Sequence, residues 1–169
     1  MASKNQLDER AAHCTVSVDD SLYVWAGYQD GLPGFWQCIK KPEAIDQWPV
    51  GRNRHAGAII ITGSDCPMLV ISGGFDKNID TLDDCWIFNI TQHSWIKLDV
   101  PHSVSKRRSH SLSVFIMSPH CVWIITAGGA VMTETLVTNP NIVMLTELVL
   151  YDSNTFVGSD FLKCKEYYL

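Results

Sequence analysis

The string Arg-x-x-His occurs three times in this chain, at Arg10 to His13, Arg52 to His55 and Arg107 to His110, and the residues after each occurrence repeat as well. Each His opens a short apolar run rich in β-branched residues: Cys14 to Val18, Ala56 to Thr62 and Ser111 to Met117. A turn-forming segment comes next: Asp19-Asp20-Ser21, Gly63 to Pro67, or Ser118-Pro119-His120. A second apolar run then ends in a pair of small residues, as Leu22 to Gly27, Met68 to Gly74 and Cys121 to Gly129. The distance from His55 to Gly74 is 19 residues, that from His110 to Gly129 is again 19, and that from His13 to Gly27 is 14. A repeat of about fifty residues restricts the chain to architectures that stack one supersecondary unit on the next, because a unit this small cannot bury its apolar face alone. Two apolar runs joined by a turn read as an antiparallel hairpin. The terminal glycines admit positive φ and close backbone approach.

The middle copy continues as Leu82-Asp83-Asp84-Cys85-Trp86-Ile87-Phe88-Asn89, a polar turn Thr91 to Ser94, and Trp95-Ile96-Lys97-Leu98. Alternation in both pieces predicts two further strands, four in all. The third copy offers Thr146 to Tyr151, then Asp152 to Thr155 and Phe156, which falls at the slot of Trp95. In the shorter first copy Trp36 and Trp48 are the candidates for the aromatic slots. The repeats therefore divide the chain at about 9–50, 51–105 and 106–157, with residues 1–8 expected to be disordered and residues 158–169 a C-terminal tail. Residues 31–34, 99–106 and 132–141 read as loops. No segment sustains a helical period.

Composition sets outer limits. With 13 basic and 18 acidic residues among 169, the net charge is −5, which disfavours general nucleic-acid or anionic-membrane binding. Apolar residues are 46% of the chain, against wholesale disorder, and charged ones only 18%. None of the six cysteines lies within two to four residues of another, so zinc-ribbon and redox spacings are absent. The polar stretch Met1 to Arg10 does not read as a secretory signal, and the longest apolar run, Cys121 to Met132, is short and glycine-interrupted. Free thiols and a cytoplasmic location, with the nucleus as the other possibility, are the expectation.

The combination resembles the kelch repeat. The likeness is carried by Arg52…His55, Gly73-Gly74-Phe75, Leu82-Asp83-Asp84-x-Trp86-x-Phe88 and Trp95 in the middle copy. The third copy adds Arg107…His110, Gly128-Gly129 and Leu148…Tyr151, and the first adds Arg10…His13 with Trp25-Ala26-Gly27-Tyr28, where Ala26 replaces a glycine. The resemblance implies an all-β fold, a partial β-propeller of about three four-stranded antiparallel blades. Propellers typically close with four to eight blades, so three do not surround an axis and look like half of a six-bladed ring. The expectation is then a fragment or truncated product, with a self-completing half-ring as the other reading and self-association through the open flanks possible in either case.

As to function, the resemblance implies a non-enzymatic module that binds a protein or peptide. Kelch proteins often serve as substrate receptors of ubiquitin ligases, but Asp160-x-x-x-Cys164 departs from an elongin-binding box, which wants Leu at Asp160, and no ligase adaptor segment is seen before residue 9. The family also includes copper radical oxidases, whose Tyr–Cys cross-link and copper shell find no matching motif set here, so no catalytic residue, metal or cofactor is expected. His13, His55 and His110 occupy one slot of successive blades and read as structural. Ser109-His110 lacks an acid and a nucleophile elbow.

In a meander the first strand begins and the second ends on the same face, so the residues before each His and after each Gly pair line one mouth. Those residues are Ala12, Arg54 and Ser109, and Tyr28, Phe75 and Ala130. Arg10, Arg52, Arg54, Lys106, Arg107 and Arg108 gather at this inner edge, with Asp30, Asp76, Asp80, Asp83 and Asp84 expected further out. The candidate site is Arg54, Ser109, Tyr28, Phe75, Arg52 and Arg107, suited to an acidic peptide or a C-terminal carboxylate, which arginine grips bidentately. A structural reading stands beside it for Arg10, Arg52 and Arg107, as partners of Asp or Glu on neighbouring blades.

Overall fold

The computed structural model describes residues 10–29, 47–61, 67–99, 106–118, 121–132, 137–138, 143–150 and 162–168. The fold is all-β, a partial β-propeller, with no helix among the described residues. In the first repeat β1 (Arg10–Ala11) pairs with β4 (Tyr28–Gln29), and β2 (Cys14–Val18) pairs with β3 (Ser21–Trp25), both antiparallel. Side chains of β2 alternate strictly between buried and exposed, as a period of two requires. Asp19 and Asp20 make the two-residue turn, with Asp19 at φ 49°, a conformation aspartate tolerates. Trp36 lies outside the described residues.

The second repeat is a four-stranded meander, β5 (Ala56–Ile60), β6 (Met68–Ser72), β7 (Cys85–Asn89) and β8 (Ser94–Leu98), in the order β5-β6-β7-β8. Both central strands are buried along their whole length, because blades cover each of their faces. The third repeat has the order β9-β10-β13-β14, built from β9 (Ser111–Ser118), β10 (Cys121–Ala127), β13 (Val143–Leu150) and β14 (Leu162–Tyr168). Two features differ from expectation. The segment read as a loop over 132–141 takes part in a short ladder, β11 (Val131–Met132) with β12 (Val137–Thr138). The outer strand of the third sheet is Leu162–Tyr168, inside the stretch assigned to the tail, while Phe156 lies outside the described residues. The middle repeat joins its last two strands through residues 90–93 and the third through 151–161, so an offset carried over from the middle copy lands short.

The sheets stack through their faces, with β2 beside β5 and β5 beside β9. Cys14, Val16 and Val18 of the first sheet meet Leu69, Ile71, Trp86 and Phe88 of the second. The opposite face of the second sheet, with Ala56, Ile60, Met68, Val70, Cys85 and Ile87, meets Leu112, Val122 and Ile124 of the third. Gly57 sits at the first junction, where an added Cβ would lie 2.8 Å from the Cys14 sulfur. An aromatic cluster closes the outer part of that junction. The Trp95 ring lies 4.5 Å from Trp25, 4.9 Å from Phe88 and 6.2 Å from Trp48.

The Gly pair and the Arg-x-x-His string are coupled by one close contact. Gly74 has φ 96°, and a Cβ on it would stand 2.6 Å from the Asn53 carbonyl oxygen and 2.8 Å from the His55 Cβ. Gly27 meets His13 and Gly129 meets His110 in the same way, each at 2.7 Å. Ala26 adopts φ 54° where Gly73 and Gly128 have 59° and 69°, so the first copy keeps the bend at a steric cost of about 1–2 kcal/mol.

Two substitutions test this packing by urea unfolding. Trp95→Ala, which empties a site only 6% exposed, should cost about 3–5 kcal/mol. Gly74→Val should cost roughly 3 kcal/mol or more, since it meets both a forbidden φ and a backbone oxygen. Unchanged midpoints in both would mean that neither the junction nor the glycine contact stabilises the fold.

Candidate functional site

The three residues that precede the repeat histidines share an unusual backbone. Ala12, Arg54 and Ser109 have φ of 56°, 52° and 52°. The Arg54 N–H donates to the Ala12 carbonyl at 3.1 Å, and the Ser109 N–H donates to the Arg54 carbonyl at 2.8 Å. Next to this row, the Gly27 N–H donates to Arg52 O and the Gly74 N–H to Arg107 O, each at 2.9 Å. Each string before a His also pairs with the residue behind its own Gly pair: Ala11 with Tyr28, Asn53 with Phe75, Arg108 with Ala130. The inner edge is thus a continuous backbone lattice crossing both blade junctions. All three left-handed residues are exposed on it, as the meander topology requires.

The six candidate side chains separate into two groups. Arg54 and Ser109 are exposed, and among the described residues the Arg54 guanidinium has no ion pair. Arg52 and Arg107 are 3% and 2% exposed and donate to the carbonyls of Gly73 and Gly128, so they belong to the frame. Phe75 is also buried, and the Arg108 guanidinium lies over its ring at 4.5 Å from the centroid. Such a contact is worth about 0.5–1 kcal/mol at a partly exposed site. The Tyr28 backbone pairs with Ala11, and its side chain lies outside the described residues.

Arg52 shows why a repeat arginine is structural. Its two terminal nitrogens donate to the two Asp84 carboxylate oxygens at 2.6 and 3.0 Å, one of them also reaches Gly73 O at 3.1 Å, and Nε donates to Val50 O. Asp84 further accepts from the Trp86 indole N–H at 2.7 Å. Burial pushes the Asp84 carboxyl up, but the bond and charge of Arg52, with Trp86, more than offset it and hold it below the usual carboxylate range. The partner lies in the same blade, not in a neighbouring one. Arg107 repeats part of the pattern by donating to Gly128 O at 3.1 Å. Sequence reasoning missed the Arg108–Phe75 stack and the role of Asp84. The signals were the basic residue at the slot of Asn53, and an Asp two residues before Trp86.

Of the repeat histidines, His55 and His110 are buried and neutral, while His13 is exposed. Burial, with the charges of Arg52, His110 and His13 adding to it, lowers His55 to about 3, and burial with Arg107 lowers His110 to about 4. Burial also raises the Cys14 thiol to about 11, so it is no nucleophile at neutral pH. Among the described residues no three His, Cys, Asp or Glu side chains come together as a metal set. Among the described residues Cys14, Cys85 and Cys121 form no disulfide.

No protein-family model matches the chain. Among curated proteins it is similar to Kelch domain-containing protein 2 of Bos taurus, 28% identical over 114 residues, which cover 60% of this chain and 26% of the relative. The chain thus spans about a quarter of that relative's length. This distant, partial likeness agrees with the kelch-like character of the repeats.

The buried frame can be tested in two ways. Asp84→Ala leaves the Arg52 guanidinium buried without its carboxylate and should cost about 3–5 kcal/mol. His55 and His110 bind a proton in the unfolded chain near 6.5 but resist it when folded, so stability is greatest above that value and falls with acidification through the window down to about 4 and 3. At pH 5 each should cost about 2 kcal/mol relative to pH 7. Urea unfolding at the two pH values checks this. The acid sensitivity should shrink in His110→Gln, and equal stability at both pH values would contradict the buried neutral histidines.

Proposed function

We propose that this chain is a non-enzymatic, kelch-type module that binds a protein or peptide at the inner edge of its blades. The observation that carries the reading is the contrast between two arginines of one string. Arg52 is consumed by Asp84 and the backbone, whereas Arg54, two residues on, is held in a fixed left-handed conformation with its side chain in solvent. Two inter-blade hydrogen bonds fix its backbone, so presenting the guanidinium to a ligand needs little further ordering. Arg108, half-buried over Phe75, sets a second positive group on the same edge of an otherwise acidic chain. An acidic segment or a C-terminal carboxylate is the ligand chemistry that suits these groups. The similarity to a kelch domain-containing protein supports the class of module; the ligand rests on the arginines.

Arg54→Ala should lower affinity for an acidic peptide by about 2–4 kcal/mol if the pair is desolvated on binding. Stability should change by less than about 0.5 kcal/mol, because alanine keeps the backbone and the side chain is exposed. Titration of wild type and variant with a pool of acidic peptides, with free and amidated C-termini, reads both ligand features. Equal binding by the two proteins would remove Arg54 from the site.

A further inference from the structure

We propose that Ile79 is the apolar anchor of the mouth, packing against an apolar side chain of the same peptide whose acidic group Arg54 holds. The inference rests on the reading of the mouth given above and adds a second half to the ligand.

Ile79 lies in the loop between β6 and β7 of the middle blade, which has a neighbouring blade on each side. Its φ is 70°, and it is the one β-branched residue at positive φ among the described residues. The left-handed region crowds a branched Cβ, so such a residue is an outlier there. The other non-glycine cases have local reasons. Ala12, Arg54 and Ser109 belong to the hydrogen-bonded row, Ala26 to a small-residue pair, and Asp19 and His93 to strand turns. Asn78, one residue earlier, is of the type that accepts this conformation readily. Ile79 is also 69% exposed, more than any other large apolar side chain among the described residues. The fold thus bears strain at a side chain that it leaves in water, and strain of this kind gathers at binding sites and clamps.

The loop is fixed. One Asp76 carboxylate oxygen accepts from the Asn78 and Asp80 N–H groups at 2.8 and 2.9 Å, and the other accepts from the Asn78 side-chain amide at 3.3 Å. The Asp76 N–H donates to Asp80 O at 3.1 Å, and the Ile79 N–H to Asp76 O at 3.2 Å. Both ends of the loop join the mouth. Phe75 pairs with Asn53 on one side and Thr81 on the other, and the Leu82 N–H donates to Gly74 O at 2.9 Å. Asn53 directly precedes Arg54. The backbone path from Ile79 through Asp76, Phe75 and Asn53 puts Arg54 no more than about 20 Å away, the reach of about six extended residues.

Charge divides the ligand between the two residues. Asp80, next to Ile79 and exposed, disfavours an acidic group at the loop, whereas Arg54 attracts one at the row. The ligand chemistry is therefore bipartite: an acidic group at Arg54 and an uncharged apolar side chain within about six residues of it.

Two labelled peptide pools with equal Asp and Glu content test this on the full chain. One pool carries a single Leu or Phe at each spacing up to about six residues from the acidic group, and the other carries Ser there. Wild type should bind the Leu and Phe pool about tenfold more tightly. Ile79→Asn should bind the Ser pool as wild type does and lose the preference, while Ile79→Leu should keep most of it. Ile79→Asn should also unfold at a higher urea concentration than wild type, because asparagine tolerates the left-handed region. A residue retained for the fold would move the midpoint the other way. Equal binding of both pools by wild type, a preference that survives in Ile79→Asn, or a lowered midpoint in that variant would overturn the proposal and leave the mouth reading standing. Binding to neither pool, or binding indifferent to Arg54→Ala, would overturn both.

Discussion

The Ala12 carbonyl accepts from Arg54, and the Arg54 carbonyl accepts from Ser109. This row of backbone hydrogen bonds registers the blades against one another. It exists only because three residues without the freedom of glycine adopt φ near 50–56°. Such a conformation costs about 1–2 kcal/mol per residue in isolation. It persists here because the neighbouring groups over-determine it: the His behind packs on a glycine, and the string in front pairs with the chain leaving the Gly pair. The four elements of the repeat, Arg, left-handed residue, His and glycine pair, are parts of one joint, and each makes sense only with the other three.

The same joint sorts the positive charge. A guanidinium that enters the frame must bring an acceptor for each donor, since burying it unpaired costs several kcal/mol. Arg52 finds that set in Asp84, Gly73 O and Val50 O. It is a poor ligand contact for the same reason that it is a good structural one. Arg54 follows the opposite logic: its backbone is saturated and its side chain is left over.

Much of the fold is legible in the residues, and the places where it is not have definite causes. The strands Cys14–Val18, Ala56–Ile60 and Ser111–Ser118 begin where the residue after each His predicts, because the positive φ before the His ends the preceding segment sharply. The outer strand Leu162–Tyr168 escapes the repeat offset because nothing in the repeat sets the number of residues before it. At the mouth, the positions of Arg54 and Ser109 follow from meander topology alone. The burial of Arg52, Arg107 and Phe75 does not, because it depends on which long side chain finds a carboxylate or a covering cation, a question of three-dimensional neighbours.

The three copies also allow frame and mouth to be told apart without any other protein. Slots filled alike in all copies are Arg10, Arg52 and Arg107, the three histidines, and the second glycines, and their described side chains serve the joint. Slots that differ are Ala12, Arg54 and Ser109; Ala11, Asn53 and Arg108; and Tyr28, Phe75 and Ala130. The backbone at these variable slots is fixed by the same hydrogen bonds in successive blades, so a change of side chain there leaves the joint intact. The mouth is therefore a surface on which a constant backbone displays three unlike faces. Under the proposed function, an extended acidic chain across it would meet a neutral blade at Ala12, a cationic one at Arg54, and a hydroxyl beside Arg108 at Ser109, an asymmetry that would set its direction.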